Sequence, residues 1–157
     1  MKILVCPVKR LYRILAEGGT EKRGALISSS ADIDTAKLLQ IPYAFRQYED
    51  LDYDAPGRSF SRGDAAAFSG FLRTAAGDID TLYCCCDAGE SRSPAVAAAV
   101  CHYFGMDDAY IWKNPHYHPN MLVFARMMDA LGLPLSDEEK DCLMGTNRKA
   151  FRDAIGR

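Results

Sequence analysis

A cysteine and an arginine six positions apart, Cys86 and Arg92, stand in the segment Cys86-Asp87-Ala88-Gly89-Glu90-Ser91-Arg92-Ser93-Pro94. The apolar stretch Thr81 to Cys85 before it predicts a buried strand, and Ser93-Pro94 opens a helix that continues over Ala95 to Phe104 until Gly105. Proline is tolerated early in a helix because its missing N–H would have no partner there. A loop that runs into a helix N-terminus can turn its backbone N–H groups inward, and the helix dipole adds positive potential at the mouth. That concavity fits a phosphate. Gly89 lets the backbone approach the anion, and Arg92 can fork two N–H groups onto two phosphoryl oxygens, which a lysine could not do. Helix N-termini and nearby cations bring a cysteine pKa from about 8.5 into roughly the 3.5 to 7.5 range. Cys86 is therefore the candidate nucleophile, able to attack phosphorus as a thiolate with no metal ion, and residues Asp87, Ala88, Gly89, Glu90, Ser91 and Arg92 are the expected phosphate cradle.

Holding such a loop requires a strand behind it and a helix in front, and strand and helix patterns alternate along the chain. Lys2 to Cys6 reads as a strand, and Val8 to Ala16 as an amphipathic helix stopped by Gly18-Gly19. Gly24 to Ser28 predicts a second strand, Asp34 to Gln40 a short helix, and Tyr43 to Tyr48 a third strand leading into the acidic run Glu49 to Asp54. Ser61-x-x-Asp64 opens a helix to about Ala76 as a weak capping box, and Ser136-x-x-Glu139 opens another over Ser136 to Leu143. Asp107 to Trp112 and Pro119 to Leu131 supply the remaining helices. The expected fold class is α/β, a mainly parallel sheet of about four to five strands flanked by helices. Residues 1–157 are expected to form one domain, with a core at about 43–131 and a helical segment at 133–157.

Hydrophobic residues at 48% and charged residues at 25% are ordinary globular values. A formal charge of −2 excludes a global basic field for nucleic acid or an anionic membrane, so any anion is held locally. Ile3 to Val8 is too short for a signal-peptide core or a membrane span, which predicts a cytoplasmic location. Three of the six cysteines are consecutive, Cys84 to Cys86, and no pair of Cys-x2-Cys spacings suggests zinc. Buried thiols are expected for Cys84, Cys85 and Cys101, whereas Cys6 and Cys142 carry no signal. Oxidation of Cys86 to sulfenic acid could draw Cys84, Cys85 or Cys101 into a disulfide, although strand alternation sends Cys85 and Cys86 to different sides. His116 and His118 read as a loop rim, His102 as a helix residue without chemistry, and neither metal nor cofactor is expected.

Cys-x2-Gly-x2-Arg-Ser resembles the signature loop of the protein tyrosine phosphatases, and Gly89 to Pro94 is similar to their small dual-specificity branch. From about Tyr43 to Leu131 the order of elements resembles that family, including the Pro119-Asn120 helix. The resemblance implies the phosphotyrosine protein phosphatase II-like fold. It also implies a phosphocysteine mechanism in which Cys86 takes the phosphoryl group, Arg92 and the loop amides hold its oxygens, and Ser93 stabilises the departing thiolate. The family usually has His before its nucleophile; here Cys85 stands in its place, which lowers the expected acidity of Cys86.

The family's general acid is an aspartate on a loop beyond a strand. Asp50, Asp52 and Asp54 precede Cys86 by 36, 34 and 32 positions, so spacing does not choose among them. Glu49-Asp50 resembles the pair that opens the acid loop in several branches, which favours Asp50, then Asp52. Asp87 and Glu90 put negative charge around the mouth, an argument against polyanionic substrates by Coulomb repulsion. The length is below that of family members with a deep phosphotyrosine pocket, so a shallower pocket is expected. The resulting expectation is a hydrolase of phosphotyrosine, with phosphoserine and phosphothreonine admitted, whose substrate is a phosphorylated protein or a small aryl phosphate. Tyr53, Phe60, Trp112 and Tyr117 are possible rim residues, with core packing the default. The competing readings are a phosphate-binding module without turnover and a rhodanese-like thiol protein. The low-molecular-weight phosphatase class shares the Cys-to-Arg spacing but has its loop near the N-terminus and its acid after it, the opposite order.

Overall fold

In the computed structural model, which describes residues 1–156, four strands form one all-parallel sheet. They are β1 (Lys2–Pro7), β2 (Arg23–Ser29), β3 (Tyr43–Gln47) and β4 (Thr81–Cys86), in the order β1-β4-β2-β3. Helices α1 (Val8–Glu17), α2 (Arg62–Ala75), α3 (Arg92–Tyr103), α4 (Ala109–Trp112), α5 (Met121–Ala130) and α6 (Asp137–Ile155) surround it, with a 3-10 turn at Thr35–Leu38 in place of the expected short helix. No helix among the described residues is long and apolar enough to cross a membrane.

The sequence of β4 explains why it lies inside. All six of its residues are buried, as a parallel strand covered on both faces requires. Its period-two alternation divides the core. Leu82 and Cys84 join Ile3, Leu26 and the helices α2, α3 and α5 on one face; Tyr83 and Cys85 join Ala25, Ile27 and Leu11 and Leu15 of α1 on the other. Full burial of a Leu or Phe side chain stabilises by about 1.5 to 3 kcal/mol. Phe60, Phe68, Leu82 and Phe124, each 0% exposed, anchor the larger side. Residues Arg92 through Cys101 of α3 are all buried, and its alanines let the helix sit close on the sheet.

Strand register decides what meets at the carboxyl edge of the sheet. Pro7 pairs with Cys86, Ile27 with Cys85, and Ser29 with Gln47. The ends of β2 and β3 therefore deliver Ser29, Ser30 and Tyr48 beside the loop that follows β4. In an open α/β sheet this carboxyl edge is where ligands bind.

Two of the boundaries that differ from the sequence expectation bear on the site and on the C-terminal helix. α3 begins at Arg92 rather than at Ser93-Pro94, so the arginine belongs to the first helical turn. α6 runs to Ile155 instead of ending at Leu143. It has no fully buried residue, only a half-buried stripe at Lys140, Leu143, Met144, Thr146, Asn147 and Ala150. Polar contacts carry the extension: Asn147 Nδ2 donates to Trp112 O and Tyr117 O, and Lys149 pairs with Asp153 one turn later at 2.6 Å. The Ser61 and Ser136 caps form where expected, the first as a full reciprocal box with Asp64.

Candidate active site at the β4–α3 loop

Cys86 ends β4 and is 2% exposed. The Gly89 N–H donates to its Sγ at 3.2 Å, and the Ser93 hydroxyl lies 3.1 Å away. Gly89 makes this turn possible, with φ at +73°; a Cβ there would sit 2.9 Å from Pro7 N and 3.0 Å from Cys6 C, both backbone atoms of β1. Gly89→Ala is expected to lose about 1 to 2 kcal/mol from the left-handed conformation alone. The clash with β1 adds to that loss. Thermal melting checks the first effect, and phosphate-analogue binding, expected to weaken, checks the displaced loop.

Arg92 has five N–H donors, and the fold uses three of them. Nη1 donates to Ser30 Oγ and to Tyr48 O, each at 2.8 Å, and Nη2 donates to Asp87 Oδ2 at 2.8 Å. The Tyr48 ring lies under the guanidinium at 5.8 Å, and burial pushes the Tyr48 phenol far up, keeping it a neutral donor to Ser28 Oγ. What remains is the Nε–H and the second Nη2 hydrogen. Arg92 Nε is the one buried side-chain nitrogen or oxygen without a partner among the described residues. A buried unmet donor is costly, and a cradle that binds an anion resolves it when occupied.

Of the three aspartates weighed as acids, only Asp50 contacts the loop. Its Oδ1 accepts from the Ser91 hydroxyl and from Asn120 Nδ2, both at 2.9 Å. The Asn120 amide also donates to Leu51 O at 3.0 Å, its Oδ1 caps α5 by accepting from Val123 N, and its own N–H reaches Ser91 O at 3.1 Å. Asn120 thus ties the acidic loop, the Cys86 loop and α5 together while 5% exposed. The acidic loop is closed by Arg58, which donates to both Glu49 oxygens, at 2.6 and 3.2 Å. Asp52 instead lines a separate cavity of about 410 Å³ with Trp112, His118, Met144 and Arg148. Asp54 pairs with Arg126 at 3.3 Å.

Ser30, Tyr48 and Asn120 carry no signal of a site role in the sequence, although Pro119-Asn120 reads as a helix start. At the mouth, Asp87 is not an open negative charge as expected but is tied to Arg92, Ser29 and Ser30, which leaves the Glu90 carboxylate there. Cys84 and Cys101 are buried, and burial pushes both thiols up. Cys6, which carries no signal in sequence, lies 3.5 Å from Cys85 across the β1–β4 pair, and that hydrogen bond together with burial raises the Cys85 thiol. Phe60 and Trp112 belong to the core, Tyr53 is exposed, and Tyr117 packs partly buried against the core. His102 bonds Asp108 at 2.8 Å, and His118 meets Phe151 edge to face.

No protein-family model matches the chain, and no curated protein matches it. Among solved structures it is similar to the PTP-2 phosphatase of Cydia pomonella, with 17% identity over 83% of this chain and 84% of that one and a TM-score of 0.53. PTPMT1 in complex with PI(5)P covers 98% of this chain and 94% of its own, with 13% identity and a TM-score of 0.46. Human DUSP28 covers the same shares, with 13% identity and a TM-score of 0.42. A parallel sheet flanked by helices is thus the fold this chain shares with the PTP-2 phosphatase.

Proposed function

We propose that the chain is a cysteine-dependent phosphomonoester hydrolase that acts on phosphotyrosine and also admits phosphoserine and phosphothreonine. The observation that carries this reading is the buried, unpartnered Arg92 Nε–H in the loop that also holds Cys86. An anion seated there would meet two guanidinium donors, the loop amides and the positive end of α3.

In the first step the Cys86 thiolate attacks phosphorus. The bond to the substrate oxygen breaks, and that oxygen leaves with a proton from Asp50. With Oδ1 occupied by Ser91 and Asn120, Asp50 has Oδ2 to carry the proton. In the second step water attacks the phosphocysteine, Asp50 takes a proton from it, and the S–P bond breaks to release phosphate. Ser93, 3.1 Å from the sulfur, stabilises the departing thiolate by donating its hydroxyl. Because the sulfur supplies the nucleophile, neither metal nor cofactor is required. The substrate is a phosphorylated protein side chain or a small aryl phosphate, with Glu90 at the mouth disfavouring further anionic groups nearby.

Reduced protein in the presence of a metal chelator should hydrolyse p-nitrophenyl phosphate, with competitive inhibition by orthovanadate. Binding of a phosphate analogue without turnover would sink the hydrolase reading and leave a phosphate-binding module. Absence of both would remove the anion site altogether.

A further inference from the structure

We propose that Asp87 is the positioning residue for Arg92, a carboxylate inside the loop that holds the guanidinium in its anion-binding pose rather than one that repels the anion. The inference rests on the phosphatase reading above. Its basis is the full set of contacts on one side chain. Asp87 Oδ1 accepts from Ser29 Oγ at 2.6 Å, and Oδ2 accepts from Ser30 N at 3.1 Å and from Arg92 Nη2 at 2.8 Å. Two of those donors sit at the end of β2, so the carboxylate joins the central strand's loop to the neighbouring strand. Ser30 contributes twice, through its amide to Asp87 and through its hydroxyl to Arg92 Nη1. Arg92 is thereby gripped at both terminal nitrogens, with Tyr48 O as the third acceptor, and its buried Nε–H is left without a partner.

Charge and geometry predict opposite signs for the loss of this side chain, which is what makes the role testable. If Asp87 acted only as a negative charge near the anion, removing it would strengthen anion binding. If it orients Arg92, removing it frees the guanidinium, which must then be ordered again on binding, so the anion is held more weakly. Partial burial pushes the Asp87 carboxyl up, but the Ser29, Ser30 and Arg92 hydrogen bonds outweigh it and hold it below the usual carboxylate value. The charged, acceptor-only form is therefore the one that grips Arg92 at neutral pH.

Asparagine separates the two effects. Its oxygen can keep the Ser30 and Arg92 bonds, and its amide can donate to Ser29 Oγ, so Asp87→Asn deletes the charge while retaining the contacts. The test is tungstate affinity measured calorimetrically on the reduced full chain. Asp87→Ala should weaken tungstate binding about tenfold, and Asp87→Asn should tighten it about threefold. In an Arg92→Ala background, Asp87→Ala should cost no further affinity, because the group it positions is gone. Asp87→Glu, which keeps the charge but displaces the carboxylate by a methylene, should also bind more weakly, and it serves if the alanine variant does not fold. Tighter or unchanged binding in Asp87→Ala, or unchanged binding in Asp87→Glu, would overturn the positioning role while leaving the anion site intact. Failure of the unmodified chain to bind tungstate would instead overturn the phosphatase reading, and this inference with it.

Discussion

Cys86→Ser is expected to reduce p-nitrophenyl phosphate turnover by about 10⁴-fold or more, to the background rate, while the protein melts normally and still binds tungstate. The reason is specific to the surroundings of the sulfur. A serine hydroxyl becomes a competent nucleophile only with a base to take its proton. The heteroatoms beside Cys86 Sγ are the Gly89 N–H, which can only donate, and the Ser93 hydroxyl, which is no base. The position before the nucleophile holds Cys85, whose thiol is pushed up by its hydrogen bond with Cys6 and by burial, so no neighbour can take up the role. Cys84 and Cys101 are likewise held neutral by burial. The proposed anion cradle, by contrast, draws on Arg92 and the loop amides, and a serine oxygen can still accept from the Gly89 N–H. Retention of more than about a tenth of the activity would mean that the nucleophile lies elsewhere in the chain.

The site divides into a part that sequence makes visible and a part that only strand order brings together. Cys86, Gly89, Arg92 and Ser93 are contiguous, and their chemistry depends on a strand, a tight turn and a helix that the local pattern already specifies. Gly89 follows from its neighbours in so far as the turn needs φ above zero; that β1 also leaves no room for a Cβ comes from strand pairing. Ser29, Ser30 and Tyr48 could not be read the same way. They reach Arg92 because β4 lies beside β2 and β2 beside β3, an order that sequence proximity does not encode. The same reasoning applies to Cys6, whose contact with Cys85 comes from the β1–β4 register across 79 positions. Asn120 illustrates a third kind of miss: its role as a helix cap is local, but its bonds to Asp50 and Leu51 are 70 and 69 positions away. The far half of α6 was missed for a different reason, because its stripe is only half buried and its stabilising contacts are polar, which leaves little hydrophobic periodicity to detect.

Among the acidic-loop variants, Asp50→Ala should be the severe one, lowering kcat by about 10²- to 10⁴-fold, the usual range for a lost general acid. Asp52→Ala and Asp54→Ala should change it by less than about threefold, since one faces a different cavity and the other forms an exposed ion pair of the kind worth little. The size of the Asp50 effect should depend on the leaving group. Nitrophenolate departs readily without a proton, whereas the alkoxide of phosphoserine does not, so the loss should be larger for the alkyl ester. If Asp52→Ala is the severe change instead, the proton comes from two residues further along, and the Ser91 and Asn120 bonds to Asp50 serve to close the loop rather than to aim an acid.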